Sequence, residues 1–273
     1  MNRICETRYP LFLVHGLGFR DRKRLGYWGR IPKALEQRGA AVFFGGQDGG
    51  GSVEGNAAQL KERLEEILTE TGCSKVNIIA HSKGGLEARS LISTLGMGEH
   101  VASLTTISTP HHGSQTVDRL LRLPAFLVRA CASLCNVSFR LMGDKAPDAL
   151  AAFHMLSTGA AGEFNQRTPD VPGVYYQSYA FVLSHSRSDM LLFLPHLVVN
   201  WVEGENDGLL TPASARWTNF RGVVRSASGR GISHCDQVDL RRRRLTKKRV
   251  EGRVSDVTEF YVSLVAELKE KGF

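Results

Sequence analysis

The chain has 273 residues, of which 42% are hydrophobic and 23% charged, so it can bury one large core and is neither disordered nor fibrous. Its formal net charge of +8 includes the basic segment "RRRRLTKKR" (241–249), which could attract polyanions. No zinc-finger spacing, RNP-type motif or alternation of aromatic and basic residues accompanies that segment. We therefore favour a solvated loop over a nucleic-acid site and expect no nucleic-acid partner.

Cysteine usage and apolar runs bear on the compartment. The five cysteines are irregularly spaced and do not indicate a disulfide framework; Cys131 and Cys135 are expected to be small buried residues on one helix face. The first apolar run is only about six residues long, so no signal peptide is visible. A cytoplasmic location is expected unless a leader has been removed or a leaderless route is used. The apolar region 117–142 is interrupted by residues that include Arg119, Arg122, Pro124 and Arg129, which disfavours a membrane span.

Short apolar runs alternate with helical patterns over the first 110 residues. The runs expected to be strands are 9–15, 40–45, 75–81 and 101–109. The segments expected to be helices are 28–39, 56–71 and 84–95. This alternation predicts an α/β fold with a mostly parallel central sheet and helices on both of its faces.

The alternation stops after residue 110. Residues 111–170 contain no convincing strand and are expected to form a helical insertion, either a lid over a binding site or packed core helices. The sheet is expected to resume at 174–181 and 196–204, and residues 253–269 to form a closing helix. The whole chain, 1–273, is expected to be one domain carrying this insertion.

Ser82 lies between the third expected strand and the helix that follows it. A residue in such a turn projects from the carboxyl edge of the sheet, where ligands of α/β proteins bind. Ala80 and Gly84 give the pattern [AG]-x-S-x-G, in which small neighbours permit a sharp turn. The alternative is a serine in an ordinary turn or a helix cap.

A nucleophilic serine needs a base and a group that orients the base. In this type of fold both follow the serine, the acid first. His234 in "GRGISHCDQVD" is the preferred base, because the other histidines lie before the serine, beside the fourth strand, or at positions better suited to structural roles. Asp207 in "EGENDGLLTP" follows the expected strand 196–204 and is preferred over Glu205, since a short carboxylate beside a glycine suits a tight turn.

The same reaction needs hydrogen-bond donors for the oxyanion that develops on the substrate. The backbone N–H of Lys83, directly after the serine, is one expected donor. The second is the backbone N–H of Leu17 in "HGLG", which follows the first strand.

Taken together, these stretches resemble the bacterial family I triacylglycerol lipases of the Pseudomonas, Burkholderia and Proteus type. The resembling pieces are "YPLFLVHGLGF", "KVNIIAHSKGGLEAR", "VASLTTISTPHHGSQTVD", "ALAAFHMLSTGAAGEFNQRTPDVPGVYYQSYA", "ENDGLLTPAS" and "SHCDQVD". The resemblance implies an α/β-hydrolase fold and hydrolysis of carboxylic esters in lipids. It supports Ser82, Asp207 and His234 as a catalytic triad.

The resemblance also implies a structural Ca²⁺ near the catalytic histidine, as in many members of that family. The aspartate two residues after the histidine corresponds to Asp236, and Asp189 in "SHSRSDM" is the nearest match to a second ligand, slightly out of register. A further side-chain ligand would fall on Leu240, which cannot coordinate a cation. The presence and the absence of a bound Ca²⁺ therefore both stay open. Without the ion, Asp236 would be a hydrogen-bond partner in the surroundings of His234. No cofactor is required for the chemistry.

The sequence thus predicts a serine-dependent lipase that cleaves triacylglycerols at a lipid–water interface through an acyl-serine. A soluble short-chain esterase, a phospholipase or an acyltransferase would use the same three residues. The alternative without catalysis is an α/β scaffold that binds lipid or a partner. The oligomeric state is not predicted.

Overall fold

In the computed structural model, which describes residues 3–18 and 26–273, a six-stranded sheet with parallel pairing throughout forms the centre of the protein. The strands are β1 (Leu11–Val14), β2 (Val42–Phe44), β3 (Val76–His81), β4 (Val101–Ile107), β5 (Tyr175–Phe181) and β6 (Phe220–Val224). Their order across the sheet is β2-β1-β3-β4-β5-β6. The predicted α/β class is therefore confirmed.

Helices flank the sheet and follow the predicted alternation through its first half. They are α1 (Ile31–Glu36), α2 (Val53–Thr71), α3 (Gly84–Ser93), α4 (Gln115–Leu121), α5 (Ala125–Leu141), α6 (Ala149–Met155), α7 (Thr158–Arg167), α8 (Phe193–Val202), α9 (Pro212–Ala215) and α10 (Val257–Glu270). The start of α2 shows why such elements form where they do. The Ser52 hydroxyl caps the helix by accepting a bond from the Gly55 N–H, and Gly72 ends the helix in the left-handed conformation.

Two apolar cores lie on opposite faces of the sheet. Within β1, Leu11 and Leu13 belong to the cluster that includes α1 and α10, while Phe12 and Val14 belong to the cluster that includes α2 and α3. Successive side chains of a strand point to opposite faces, so a strand buried on both sides is apolar throughout. This explains why β1 is a continuous apolar run and why β3 is mainly apolar.

The predicted strand 196–204 is wrong, because that segment forms α8. Its buried residues His196 and Val199 are three apart, while Leu194 and Trp201 are exposed, which is a helical arrangement. A short apolar run does not by itself distinguish a strand from a helix, and Pro195 in the first turn suits a helix start. The sixth strand is instead β6, which the sequence analysis did not identify.

The segment 111–170 is helical as predicted and contains α4, α5, α6 and α7 but no strand. None of the side chains of α5 is buried, and Phe126 and Leu141 are largely exposed. Cys131 and Cys135 are exposed as well, so their predicted burial is wrong. The cause is that α5 lies outside the two cores, where a helix retains apolar residues without packing them.

Two carboxylates connect the base of this insertion to the glycine-rich loop after β2. Asp48 accepts hydrogen bonds from the N–H groups of Lys145 (3.0 Å) and Ala146 (2.7 Å). In return, Asp144 accepts bonds from the amides of residues 49 and 50, at 3.0 and 2.7 Å. Bonds to ionised acceptors are the stronger kind, so the C-terminal base of α5 is firmly attached to the sheet.

Among the residues that the structure describes, no single helix has both the length and the apolar character needed to cross a membrane. The bent pair α4 and α5 meets those two criteria only when its helices are taken together, and they are inclined to each other by 110°.

Leu64 and Leu134 provide a matched test of the core. Leu64 is fully buried on α2, whereas Leu134 on α5 is 70% exposed. We expect Leu64→Ala to lower the free energy of unfolding by about 2–5 kcal/mol and Leu134→Ala to change it by no more than about 0.5 kcal/mol. Urea denaturation followed by circular dichroism measures both. Equal losses in the two variants would contradict the placement of α5 outside the cores.

Candidate active site

Ser82 occupies a strained turn between β3 and α3. Its φ angle is +55°, a left-handed conformation that is costly for a residue with a side chain. A Cβ atom on Gly84 would lie 2.3 Å from the carbonyl oxygen of His15, and one on Gly16 would lie 2.7 Å from the Cβ of Ser82. Both positions therefore require glycine, because the end of β1 passes directly against the turn. The small-residue pattern around Ser82 has this physical cause.

Asp207 and His234 are joined as predicted. The Nδ1 atom of His234 lies 2.8 Å from Oδ2 of Asp207, and the backbone N–H of His234 donates to the carbonyl oxygen of Asp207 at 2.8 Å. Asp207 was expected to follow a strand. It instead lies in a turn after α8. Glu205, the competing acid, is exposed and pairs with Arg225 on the surface.

Asp207 is fully buried yet remains ionised. Burial alone would raise its pKa, but the charge and hydrogen bond of His234 outweigh that effect, aided by the N–H of Leu210 and the amide of Gln237. The pKa of Asp207 falls to about 2 as a result. A carboxylate of this kind can orient an imidazole and stabilise its protonated form.

Ser82 and His234 line one apolar cavity of about 410 Å³. Around them the wall is built mainly by side chains of α4, α6 and α8, together with Leu17 of the loop after β1. Within residues 3–18 and 26–273, the Ser82 hydroxyl makes no hydrogen bond to another side chain. The structure thus brings the three predicted residues to one site, while the bond from serine to imidazole is not formed in this conformation.

His81 and Gln237 also belong to the site, although the sequence analysis did not assign them to it. The ring of His81 lies 4.4 Å from that of His234, between centroids. Burial, followed by the nearby charge of His234, lowers the pKa of His81 well below its usual value, so this ring stays neutral. Its Nε2 lies 3.2 Å from Oε1 of Gln237, whose amide donates to Asp207 at 2.7 Å. Their positions in the sequence could have indicated this, because His81 directly precedes Ser82 and Gln237 comes three residues after His234.

The two predicted oxyanion donors are available. Within the described residues, neither the backbone N–H of Leu17 nor that of Lys83 donates to an acceptor of the protein, although Leu17 is flanked by bonded neighbours such as Gly18. Leu17 lines the cavity beside Ser82, and Lys83 follows the serine. Two unused amides at the wall of an apolar cavity are suited to bind an oxygen that gains negative charge.

A buried polar network holds both amides in place. The carboxylate of Glu87 accepts bonds from Lys83 Nζ, from Gln47 (2.9 Å) and from Asn56 (2.8 Å). The same amide of Gln47 donates to the carbonyl oxygen of His15 at 2.9 Å. Glu87 therefore connects the residue after Ser82 to the loop that carries Leu17. The i, i+4 spacing of Lys83 and Glu87 in the sequence could have predicted this ion pair.

A second apolar cavity of about 340 Å³ adjoins the first and shares Leu17, Leu120 and Phe153 with it. Its remaining wall comes mainly from α5 and α6, and includes Cys131 and Cys135. The exposed apolar face of α5 thus contributes to a cavity and not to a core. The two cavities together provide an extended apolar space that begins at Ser82.

Asp189 and Asp236, the carboxylates that the family resemblance assigns to Ca²⁺, come together next to His234. The Nη2 atom of Arg241 lies 2.6 Å from Asp189, and its Nε lies 3.4 Å from Asp236. Within the described part of the chain, no cluster of three or more histidine, cysteine, aspartate or glutamate side chains could hold a metal ion. The residues present do not fit a bound Ca²⁺ while the guanidinium holds these contacts, because a cation already joins both carboxylates.

Two arginines of the basic segment 241–249 form ion pairs with carboxylates of the protein. Arg244 pairs with Asp256 (3.2 Å) and Glu259 (2.6 Å), in addition to the contacts of Arg241. These pairs give the segment a structural role in attaching the loop before α10.

Comparison with known sequences places the chain among lipases. The model of the family described as palmitoyl protein thioesterase matches residues 10–166. The triacylglycerol lipase of Vibrio cholerae is 31% identical over 264 residues, covering 86% of this chain and 80% of that protein. The triacylglycerol lipase of Pseudomonas fragi is 29% identical over the full length of both chains, and triacylglycerol lipase 2 of Saccharomyces cerevisiae is 29% identical over 90% of this chain and 74% of its own.

Solved structures agree on the fold. The mature lipase BlEst2 of Bacillus licheniformis superposes with a TM-score of 0.65 at 23% identity, over 85% of this chain and 87% of its own. The lipase of Staphylococcus hyicus superposes with a TM-score of 0.66 at 16% identity, over 97% of this chain and 98% of its own. The finer resemblance to the Pseudomonas, Burkholderia and Proteus type stays a prediction, since the relatives extend to yeast. The chain therefore belongs to the palmitoyl protein thioesterase family, as that model defines it, and to the lipases of the α/β-hydrolase superfamily.

Proposed function

We propose that this protein hydrolyses triacylglycerols and related long-chain esters through an acyl-enzyme on Ser82, with His234 as general base and acid and Asp207 as the group that orients it. The observation that carries the proposal is the cavity of about 410 Å³, whose wall contains Ser82 and His234 while Asp207 is bonded to His234 behind it. This is the arrangement of nucleophile, base and orienting acid that ester hydrolysis needs.

In the first half of the reaction, Ser82 Oγ attacks the acyl carbonyl carbon and its proton passes to Nε2 of His234. The carbonyl oxygen becomes an oxyanion that accepts the N–H groups of Leu17 and Lys83. When the tetrahedral intermediate collapses, the bond from carbon to the alcohol oxygen breaks, and His234 gives its proton to that oxygen. The alcohol leaves, and the acyl group stays on Ser82.

In the second half, water takes the place of the alcohol. His234 removes a proton from the water, whose oxygen attacks the acyl carbon, and the oxyanion forms again at the same two amides. Collapse breaks the bond between the acyl carbon and Ser82 Oγ, and His234 returns the proton to the serine. Asp207 stays ionised throughout, since its pKa of about 2 lies far below neutral pH.

The cavities support a long acyl chain as the substrate group. Together they offer an almost entirely apolar wall that extends from Ser82 to the side chains of α5. Burial of each methylene group contributes about 0.8 kcal/mol, so such a space favours long chains over short ones. A soluble short-chain esterase would not need the second cavity.

We propose further that α4 and α5 act as a lid that contacts a lipid surface. The outer face exposes Leu134 and Leu141, and Arg119 packs against the exposed Trp201 of α8. An exposed apolar face is unfavourable in water and favourable at a lipid–water interface. The arginines of this region, Arg119, Arg122, Arg129 and Arg140, would add attraction to anionic lipid.

A thioester of a long acyl chain is the second candidate substrate. The match of residues 10–166 to the palmitoyl protein thioesterase model favours it, because that range contains Ser82 and, except for the last residue of α7, the segment from α4 to α7. The same mechanism would release a thiol in place of an alcohol.

The first prediction concerns the nucleophile. Ser82→Ala should abolish hydrolysis of p-nitrophenyl esters and covalent labelling by a fluorophosphonate, because it removes the hydroxyl that attacks the acyl carbon or the phosphorus atom. The matched control is Ser138→Ala on the exposed surface of α5, which should keep full activity. Mass spectrometry locates the label. Activity retained by Ser82→Ala with unchanged folding would exclude the acyl-serine mechanism, and a wild type that never labels would favour a non-catalytic scaffold.

A second prediction concerns Asp207. We expect Asp207→Asn to lower kcat by about 10³- to 10⁴-fold, because the imidazole loses the carboxylate that orients it. Since folding depresses the pKa of this carboxyl from 3.8 to about 2, the stabilisation is complete above pH 4 and is lost as the pH falls towards 2. It amounts to about 2 kcal/mol. Urea unfolding measures the free energy of unfolding of wild type and of Asp207→Asn from pH 6 to pH 2. The difference between the two free energies should shrink by that amount as the pH falls. A difference that does not depend on pH would contradict the assignment.

A third prediction tests the acyl space. Leu120 lines both cavities, so Leu120→Trp should block the second one and lower kcat/KM for p-nitrophenyl palmitate by about 10-fold or more, while the butyrate ester is little affected. Leu141→Trp, at an exposed position outside both cavities, is the control. The rates of hydrolysis of emulsified triolein and of palmitoyl-coenzyme A then compare an ester with a thioester substrate. An unchanged ratio of palmitate to butyrate activity in Leu120→Trp would exclude this cavity as the acyl site.

A further inference from the structure

The loop that carries His234 is held by a compact cluster of ionic and hydroxyl groups. Ser233, the residue before His234, donates its hydroxyl to Asp189 Oδ2 at 2.5 Å. Asp236 accepts the N–H of Ser233 at 3.3 Å, and its own N–H donates to the Ser233 hydroxyl at 3.1 Å. The two carboxylates therefore fix the backbone on both sides of the imidazole.

Arg241 supplies the positive charge of this cluster. It bridges Asp189 and Asp236, whose side chains are only 3% and 11% exposed, while its own is 25% exposed. Two buried carboxylates repel each other unless a cation lies close to both. Arg230 does not replace Arg241 in this role, because it donates to the carbonyl oxygen of Ser188.

The cluster also reaches the cavity wall. Asp189 accepts the N–H of Leu191 at 3.1 Å, and this segment leads into α8, whose Leu194 and Val198 line the cavity beside Ser82. Arg241 thus connects two parts of the site that are separated in sequence by more than forty residues: the histidine loop and the start of α8.

We propose that the Arg241 guanidinium is the built-in structural cation of this protein, and that it positions His234 for catalysis in the place where the family resemblance would lead one to expect a calcium ion. It acts through Asp189, Asp236 and Ser233 and does not touch the substrate, so it is a positioning residue. The inference rests on the proposed function of His234.

The experiment compares wild type, Arg241→Ala and Arg241→Lys with the control Arg243→Ala, which removes an exposed arginine of the same basic segment. The melting temperature, kcat and KM are measured for each protein with EDTA, with millimolar CaCl₂ and with neither. Stoichiometric labelling by a fluorophosphonate is measured in parallel.

Wild type and Arg243→Ala should show the same melting temperature and kcat in all three conditions. Arg241→Ala should melt about 6–10 °C lower, because two buried carboxylates lose their counter-charge. Its kcat should fall about 10-fold or more with little change in KM, as for loss of a group that orients a catalytic ligand. CaCl₂ should raise both the melting temperature and the kcat of Arg241→Ala, since a divalent cation can then pair with the two carboxylates that have lost their counter-charge. Arg241→Lys, which keeps the charge but not both contacts, should fall in between.

Three results would overturn the proposal: a wild type destabilised by EDTA, an Arg241→Ala whose kcat equals that of wild type even though its melting temperature falls, or an Arg241→Ala that CaCl₂ does not stabilise. If Arg241→Ala does not fold, Arg241→Lys and the EDTA series on wild type decide the question. Either a wild-type kcat in Arg241→Lys or destabilisation of wild type by EDTA then counts against the proposal. A wild type that does not label at Ser82 refutes the proposed function itself, which keeps the two failures distinct.

Discussion

The site depends on one tight contact between two strand ends. The backbone after β1 passes so close to the turn after β3 that glycine is required at Gly16 and Gly84, and Ser82 is held with φ at +55°. This contact also places the N–H of Leu17 on the same cavity wall as the serine. The strain is sustained because β1 and β3 are paired in the centre of the sheet and buried on both faces. The positions of the proposed nucleophile and of its proposed oxyanion donors thus depend on the packing of the core.

The polar network behind this turn gives the arrangement its rigidity. Glu87 is buried with Lys83, Gln47 and Asn56, and each partner of its carboxylate also fixes a piece of backbone. Burying ionic groups is favourable only when all of them are paired, so removal of one member leaves the others unsatisfied. In this protein the two amides proposed to bind the oxyanion are held by buried groups behind the cavity wall.

Sequence reasoning predicted the parts of this protein that depend on local pattern. Buried parallel strands, amphipathic helices and the small residues around Ser82 all leave a signal within a few residues. It failed at α8, where a short apolar-rich run fits a strand as well as a helix until its neighbours are known. It also failed for Cys131 and Cys135, because a helix that lines a cavity has the composition of a helix that packs in a core. Asp207 was chosen for its place after a strand that does not exist, and the choice rests now on its bond to His234.

His81, Gln237 and Arg241 show a different limit. Each acts through a contact with a residue far away in the chain, as when Gln237 joins His81 to Asp207 or Arg241 reaches Asp189 across 52 positions. Such contacts have no local pattern and become visible only when the loops after β5 and β6 are folded together. The basic run at 241–249 was therefore interpreted as a solvated surface, although two of its arginines neutralise buried carboxylates.

The paired carboxylates Asp48 and Asp144 have a consequence for how the cavity can open. They attach the C-terminal end of α5 to the glycine-rich loop by bonds in both directions, and that loop is fixed in turn through Gln47 and Lys83. The N-terminal end of α5 has no comparable attachment among the described residues. Any outward swing of this helix would therefore pivot about residues 144–148, so that its end near residue 125 would travel furthest and the proposed acyl space would open from that side.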